Sequence, residues 1–281
     1  MSKVRIMADT VCDLSEELKR RYEITTVPLY VTRDGVTYRD GIDITQHEVF
    51  EHYRTTGKLC STAAINVEDF SRFFQEQVKT GEEIIFITIS SEFSSTYQNA
   101  CIASEDYEGV YVVDSRNLST GEGLVAVAAA KYAQQELSAS EIVTKLYQEI
   151  IPNVDASFFV ANIEYLHKGG RCSSIAALGA NLLKLKPCID VIDGKMKVTK
   201  KYRGAMDKCM REYVKDRLSQ VSGADDDLIF VTHTCSADFA AAAAGEIKKL
   251  RQFEEIAITE AGCTVACHCG EDTLGILFIR K

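Results

Sequence analysis

Short apolar runs rich in β-branched residues recur along the chain, and most are followed by a polar turn and a segment with helical periodicity. Apolar runs without polar alternation are typical of strands buried on both faces of a sheet. Six strands are predicted on this basis, at residues 4–8, 84–89, 110–113, 158–161, 228–231 and 256–258. Eight helices are predicted around them, at residues 48–55, 67–80, 94–103, 123–137, 140–151, 174–185, 205–221 and 237–250. This alternation predicts an α/β fold of two lobes with largely parallel sheets.

Turn residues predict two hairpins in addition. Residues 27–31 and 36–38 flank Arg33-Asp34-Gly35, and residues 188–192 and 196–201 flank Asp193-Gly194. In both segments a Gly-containing turn separates two runs of strand-forming residues, which is the usual signature of a β-hairpin.

Pro152 is the best candidate for a domain boundary, because proline cannot continue the helix predicted before it. We therefore predict an N-terminal α/β domain at residues 1–152 and a C-terminal α/β domain at residues 153–281. A length of 281 residues agrees with about two domains, at roughly 150 residues each.

The composition is that of an ordinary globular protein, and its charge argues against several partners. The 32 basic and 41 acidic residues leave a formal net charge of −9, whereas a nucleic-acid-binding protein needs a basic face. The same charge disfavours attachment to an acidic membrane, although it leaves transient membrane contact open. The longest apolar runs, residues 124–130 and 239–244, are far shorter than a bilayer-spanning helix, and no secretory leader pattern is present. We expect a cytoplasmic protein whose ten cysteines are reduced.

Hydroxyl side chains gather after the predicted strands, where ligands bind in open α/β sheets. Residues 90–96 contain four serines and a threonine before a predicted helix. Their hydroxyls and the helix amides suit an anionic group, but the same residues would also cap the helix. Thr62, which precedes a helix predicted to be capped at Asn66, has the same two interpretations.

The turn Lys168-Gly169-Gly170-Arg171 places two glycines between two cations. Its glycines allow close approach of the backbone and leave the Arg171 guanidinium exposed for a phosphate or a partner; the alternative is a tight turn with solvated charges. The chain contains no GxxxxGK[ST] or GxGxxG motif, so nucleotide binding by this chain is not expected.

The cysteine-rich segment at residues 263–269 contains the ligand types that zinc prefers. A structural zinc site usually combines two spaced pairs of ligands, and here no second pair is present. A cysteine nucleophile activated by His268 is the other chemical interpretation, although the sequence indicates no residue that would orient the imidazole. We expect neither a metal nor a cofactor.

Several short segments, taken in order along nearly the whole chain, resemble the DegV family. They are Asp9-Thr10, residues 28–31, residues 38–44, residues 90–97, Asp114-Ser115, residues 119–121, residues 165–171, Lys186-Pro187, Asp193-Gly194, residues 268–270 and Gly275. Members of that family bind fatty acids and serve as the lipid-carrying subunit of a bacterial fatty acid kinase. The resemblance therefore implies that the chain binds a long-chain fatty acid and presents its carboxylate to a separate ATP-dependent kinase.

The resemblance also implies which residues do this work. Thr62, Ser94 and His268 match the residues that hold the carboxylate, and Arg171 is the candidate for contact with the kinase or the transferring phosphoryl group. Secondary candidates are Ser95, Thr96 and Gly170. In this scheme the chain is a non-catalytic subunit and has no catalytic residue of its own.

The chain departs from the family pattern after His268, where Glu271 and Asp272 replace the usual Pro-Gly and add negative charge. The competing hypothesis is a free-standing hydrolase that uses Ser94, or a cysteine, together with His268. A carrier would show no turnover without its kinase and ATP, whereas a hydrolase would cleave an ester or thioester alone.

Overall fold

The structure is a computed structural model that describes residues 3–176, 185–219, 224–234 and 236–281. Within these ranges the strands are Val4–Asp9 (β1), Thr25–Val27 (β2), Tyr30–Arg33 (β3), Val36–Arg39 (β4), Ser61–Ala63 (β5), Glu83–Thr88 (β6), Val110–Asp114 (β7), Val154–Phe159 (β8), Leu185–Ile192 (β9), Lys195–Arg203 (β10), Ala224–His233 (β11), Glu255–Glu260 (β12) and Leu274–Arg280 (β13). The α-helices are Glu16–Arg21 (α1), Gln46–Thr56 (α2), Val67–Gln77 (α3), Thr96–Ser104 (α4), Thr120–Gln134 (α5), Ala139–Lys145 (α6), Glu164–Gly169 (α7), Ser173–Ala176 (α8), Met206–Ser219 (α9), Ala237–Leu250 (α10) and Cys263–Cys269 (α11).

The strands form three sheets. A four-stranded sheet has the order β2-β1-β6-β7, and all of its neighbours are parallel. A six-stranded sheet has the order β10-β9-β8-β13-β11-β12, and a small antiparallel sheet has the order β4-β3-β5. The α/β architecture is therefore confirmed, and parallel pairing is correct for the four-stranded sheet.

Parallel pairing is wrong for most of the six-stranded sheet, where only β11 and β12 run parallel. Strand β13, which the sequence analysis did not predict, lies between β8 and β11 and is antiparallel to both. The predicted hairpin at residues 188–201 forms as β9 and β10 and extends the antiparallel part of the sheet.

The other predicted elements are found with shifted ends. Strand β8 begins at Val154, before the predicted run at residues 158–161. The prediction began too late because polar side chains interrupt the apolar positions in the first part of the strand. The helix predicted at residues 140–151 is α6 followed by a π-helical turn, Leu146–Ile150, and a 3₁₀ turn, Ile151–Asn153. The helix predicted at residues 174–185 lies partly outside the described residues, and Leu185 itself opens strand β9. The last residues of the helix predicted at 205–221 also lie outside the described residues.

Helix α5 is packed between the two larger sheets. Every residue from Thr120 to Ala130 is buried, which is the pattern of a helix that is covered on all sides. Its side chains share one core with Ile87 of the four-stranded sheet and with Phe230 and Leu277 of the six-stranded sheet. The boundary proposed at residues 152/153 stays a prediction, and this shared core draws on residues from both sides of it.

Candidate functional site

The short helix α11 carries His268, and its position is determined by carboxylates from distant segments of the chain. Its N-cap residue, Gly262, has no side chain to cap the helix. Instead, Asp40 accepts hydrogen bonds from the amides of Cys263 (2.9 Å) and Thr264 (3.0 Å). Asp13 accepts one from the amide of Gly262 (2.7 Å). Because these amides form the positive end of the helix, buried carboxylates are favourable partners there and fix the start of α11.

His268 lies at the other end of α11, against strand β5. Its Nε2 atom is 2.8 Å from Oγ1 of Thr62, so two of the predicted head-group residues are in direct contact. The other ring nitrogen, Nδ1, is buried and has no hydrogen-bond partner among the described residues. Burial, together with the nearby Arg171 guanidinium, lowers the pKa of His268 to about 4. The imidazole is therefore neutral near pH 7.

Because Gly169 has no side chain, there is room beside it for the imidazole of His268. A Cβ atom at this position would lie 2.5 Å from Nδ1 of His268, which is closer than real contacts allow. Gly170 ends helix α7 in the left-handed conformation, with φ of 68°, and is exposed. The two glycines of the turn thus have different functions, since only Gly169 faces the site.

Ser94 lies on the loop between β6 and α4 and lines the same cavity as Thr62 and His268. Its Oγ atom is 2.8 Å from Oγ1 of Thr96 and also accepts a hydrogen bond from the Thr96 amide (3.2 Å). Thr96 is buried behind it, and Ser95 is exposed; neither lines the cavity. Of the hydroxyls in this segment, Ser94 is therefore the one that the structure brings to the site.

Arg171 is exposed at the rim of the cavity. Its Nη1 atom donates to the carbonyl of Gly169 (2.8 Å), which holds the guanidinium close to the site. Glu271 and Asp272 do not line the cavity, and the Glu271 carboxylate accepts a hydrogen bond from Nη2 of Arg54 (2.7 Å). The charge of Glu271 is thus engaged by Arg54, outside the cavity.

The cavity itself is narrow and mostly apolar, with a volume of about 60 Å³. Its apolar lining comprises Val11, Leu29, Ala63, Ala64, Ile89, Phe93, Leu118, Met196, Val265 and Cys269. A second cavity of about 30 Å³ shares Leu118, Val265 and Cys269 with the first and continues toward β13. The apolar linings of the two cavities are therefore adjacent, and the polar groups around His268 belong to the first of them.

Larger clefts exist elsewhere on the molecule, including one of about 600 Å³ beside Arg217 and Arg280. The charged side chains of that cleft are paired with one another, as in the contacts of Arg217 with Asp155 and Asp190. We assign the site to the smaller cavity, because a mostly apolar space with a few convergent polar groups is the usual form of a small-molecule site.

The sequence analysis missed Thr264, which lines the cavity one helical turn before His268. Its Oγ1 atom is buried and has no partner within the described ranges. The i, i+4 spacing of Thr264 and His268 was a usable signal, since residues four apart share one face of a helix. It went unused because α11 was not predicted as a helix.

The contacts of His268 also bear on the hypotheses that Ser94 or a cysteine acts as a nucleophile. Nε2 of His268 contacts Thr62, while Oγ of Ser94 contacts Thr96, so no Ser94–His268 hydrogen bond is present among the described contacts. Contact with the Cys60 thiol and burial raise the pKa of Cys267, and burial raises the pKa of Cys269 to about 12. Both thiols next to His268 are therefore protonated near pH 7, and a protonated thiol is a poor nucleophile.

The part of the chain that the structure describes contains no group of three His, Cys, Asp or Glu side chains placed to hold a metal ion. In that part, no helix combines the length and apolar character needed to cross a bilayer.

Comparison with known proteins gives consistent matches over the full chain. The model of the DegV family matches residues 3–281. A DegV domain-containing protein from Caldanaerobacter subterraneus is 32% identical over 286 residues, with 100% of both chains covered. A solved DegV family protein from Thermus thermophilus, described by its fatty acid binding, has a TM-score of 0.92 at 28% identity, covering 100% of both chains. A stearic-acid-binding protein from Eubacterium ventriosum has a TM-score of 0.86 at 26% identity, covering 100% of this chain and 99% of the other.

Proposed function

The chain belongs to the DegV family, and on that premise we propose that it binds a long-chain fatty acid in the cavity beside His268. The observation that carries the proposal is the form of this cavity. Two small neighbouring cavities have mostly apolar linings, and one cluster of polar groups, contributed by Thr62, Ser94 and His268, lines the first of them. This matches a ligand that has a single polar end and a long apolar tail.

The polar cluster suits a carboxylate. A carboxylate taken out of water needs hydrogen-bond donors, and the hydroxyls of Thr62 and Ser94 can each donate one. A carboxylate beside His268 favours the protonated imidazole, so ligand binding raises the pKa of His268 from its low value in the free protein. The head group would thus be held by two hydroxyls and an imidazole that gains charge only when the ligand is present.

The tail supplies most of the affinity. Burial contributes about 0.8 kcal/mol per CH₂ group, so a chain of about 16 carbons has a ceiling of roughly 12 kcal/mol. The residues around the carboxylate therefore serve to orient the ligand. The head group then faces the rim of the cavity, where Arg171 is exposed.

We propose further that a separate ATP-dependent kinase phosphorylates the bound carboxylate. An oxygen of the carboxylate would attack the γ-phosphorus of ATP held by the kinase, and ADP would leave. Arg171 is suited to contact the kinase or the transferring phosphoryl group, because a guanidinium binds phosphate oxygens with two donors at once. The absence of a phosphate-binding glycine loop from this sequence supports a division of labour in which the nucleotide belongs to the partner.

Binding is tested with purified protein from which lipid has been extracted with organic solvent. The extract is expected to contain fatty acid, and the double variant Ser94→Ala, His268→Ala is expected to bind added hexadecanoic acid at least tenfold more weakly than the natural chain, about 1.4 kcal/mol. The matched control is Ser219→Ala, His47→Gln, which changes the same residue types at exposed positions. An extract without fatty acid, together with normal binding by the first variant, would falsify the proposal.

The kinase step has its own readout. Protein loaded with fatty acid is mixed with a fatty acid kinase, ATP and Mg²⁺, and acyl phosphate is trapped with hydroxylamine. We expect hydroxamate only when chain, fatty acid and kinase are all present, and strongly reduced yield with Arg171→Ala at unchanged fatty acid affinity. Equal yield from Arg171→Ala would remove that residue from the phosphoryl-transfer step and leave lipid binding intact.

A further inference from the structure

The buried hydroxyl of Thr264 is not used by the proposed head-group contacts. Thr264 is only 5% exposed, lies on α11 one turn before His268 and lines the apolar cavity. Its backbone amide is bound to Asp40 (3.0 Å), so the residue is held firmly in place. Its Oγ1 atom is inaccessible and has no hydrogen-bond partner among the residues that the structure describes.

The position of Thr264 explains why its hydroxyl has no partner. A threonine inside a helix commonly donates to the carbonyl four residues earlier. Thr264 is the second residue of α11, and the residue four positions before it, Glu260, belongs to strand β12. The usual acceptor is therefore missing, and valine would fill the same space without a buried polar atom. A hydroxyl kept at such a position is expected to serve a ligand.

We infer that Thr264 pairs with a hydroxyl group on the acyl chain, close to its carboxyl end, and that the preferred ligand is a hydroxy fatty acid. This inference rests on the proposed function, because it uses the same cavity and the same orientation of the ligand. Residues four apart on a helix have Cβ atoms about 5–6 Å apart, so Thr264 lies beside the first carbons of a chain whose carboxylate is at His268.

The rest of the lining restricts where that hydroxyl can be. Beyond Thr264 the walls are apolar, and they include Ile89, Leu118 and Val265. A ligand hydroxyl next to those side chains would be buried without a partner and would weaken binding. Next to Thr264, the ligand hydroxyl and the Thr264 hydroxyl would form a hydrogen bond with each other, and neither would be buried without a partner. A site with a polar group buried for this purpose discriminates against the analogue that lacks the matching group.

The test compares ligands that differ in one oxygen atom. Dissociation constants are measured for hexadecanoic, 2-hydroxyhexadecanoic and 3-hydroxyhexadecanoic acid with the natural chain, Thr264→Val and Thr264→Ser. We expect the natural chain to bind one of the hydroxy acids about fivefold more tightly than hexadecanoic acid. Thr264→Val should abolish this ratio, and Thr264→Ser should retain it. Thermal unfolding of the valine variant checks that its fold is unchanged.

Three results would overturn the inference. Equal affinity of the natural chain for all three acids removes the selectivity while leaving fatty acid binding intact. Equal weakening of all three acids by Thr264→Val would make Thr264 a carboxylate ligand. If no acid binds to the natural chain, the proposed function fails, and the inference falls with it.

Discussion

Two groups of buried polar side chains lie at opposite ends of α11, and they differ in what their polar atoms contact. At the N-terminal end, the carboxylates of Asp13 and Asp40 accept hydrogen bonds from backbone amides of the chain itself. At the other end, Nδ1 of His268 is buried without a partner in the described residues. The same holds for Oγ1 of Thr264, which is the second residue of the helix. The satisfied carboxyl groups hold the start of the helix, whereas the two unsatisfied atoms belong to residues that line the cavity.

Among the buried carboxyl groups that the structure describes, Glu122 is an exception, because it has no hydrogen-bond partner of this kind. It is fully buried, and neither of its carboxyl oxygens has a partner in the part of the chain described. Asp9 is the charged group that acts on it most strongly, and Asp9 itself accepts hydrogen bonds from the amides of Val11 (2.9 Å) and Ile89 (2.8 Å). One proton shared between Glu122 and Asp9 would satisfy both carboxyl groups. We therefore place Glu122 with the groups that hold the fold.

The two regions also respond to pH in opposite directions. Burial raises the pKa of Asp9 to about 7, and burial raises the pKa of Glu122 as well. These groups hold protons in the folded state that the unfolded state releases, so the stability they contribute is lost as pH rises from about 4 toward 7. His268 has a lowered pKa, so its contribution is lost as pH falls from about 6.5 toward 4.

The largest predicted effect comes from removing a satisfied carboxylate. Asp40→Ala leaves two buried amides at the start of α11 without an acceptor, and we expect the free energy of unfolding to fall by about 3 kcal/mol. Urea denaturation measures this directly. Asp106→Ala, at an exposed position, is the matched control. A loss below about 1 kcal/mol for Asp40→Ala would mean that these contacts do not hold the helix.

A smaller effect is expected from Glu122→Gln. The glutamine amide can donate to Asp9 without a shared proton, so one titrating group is removed from the folded state. We expect the fall in stability between pH 5 and 7 to become shallower by about 1 kcal/mol per pH unit. Denaturation at several pH values, with exposed Glu105→Gln as control, gives the slopes. An unchanged slope would show that Glu122 and Asp9 do not share a proton.

The smallest change in free energy is expected on the ligand side. Gly169→Ala places a methyl group against Nδ1 of His268 and displaces the imidazole. We expect fatty acid affinity to fall about tenfold, equivalent to about 1.4 kcal/mol, with a change in unfolding free energy below about 1 kcal/mol. Gly245→Ala is the control, because this helical glycine has open space around it and should leave affinity unchanged. A loss of stability without loss of affinity would reverse the roles assigned to the two regions.

Much of the fold could be predicted from the sequence because its apolar runs are strong local signals. The parallel strands β1, β6 and β7 and both hairpins were found in this way. Strand β13 was not, and its insertion between β8 and β11 depends on pairing between distant segments, which local patterning does not specify. The helix α11 escaped prediction for a similar reason, since two aspartates from far along the chain cap it.

The candidate site, like the fold, could be predicted from the sequence only in part. Thr62, Ser94 and His268 were expected together from a family resemblance, and the structure places all three around one cavity. Their roles as carboxylate ligands stay a prediction. The contact of Gly169 with His268 and the unpaired state of the Thr264 hydroxyl could not be predicted, because both depend on how distant segments pack.

Native mass spectrometry of the purified natural chain tests the central claim most directly. The polar groups around His268 and the apolar linings of the two adjacent cavities predict a retained ligand, with a mass equal to that of a long-chain fatty acid. That added mass should disappear after solvent extraction and return when fatty acid is supplied. A chain that carries no ligand, and still takes up none when fatty acid is added, would contradict the account.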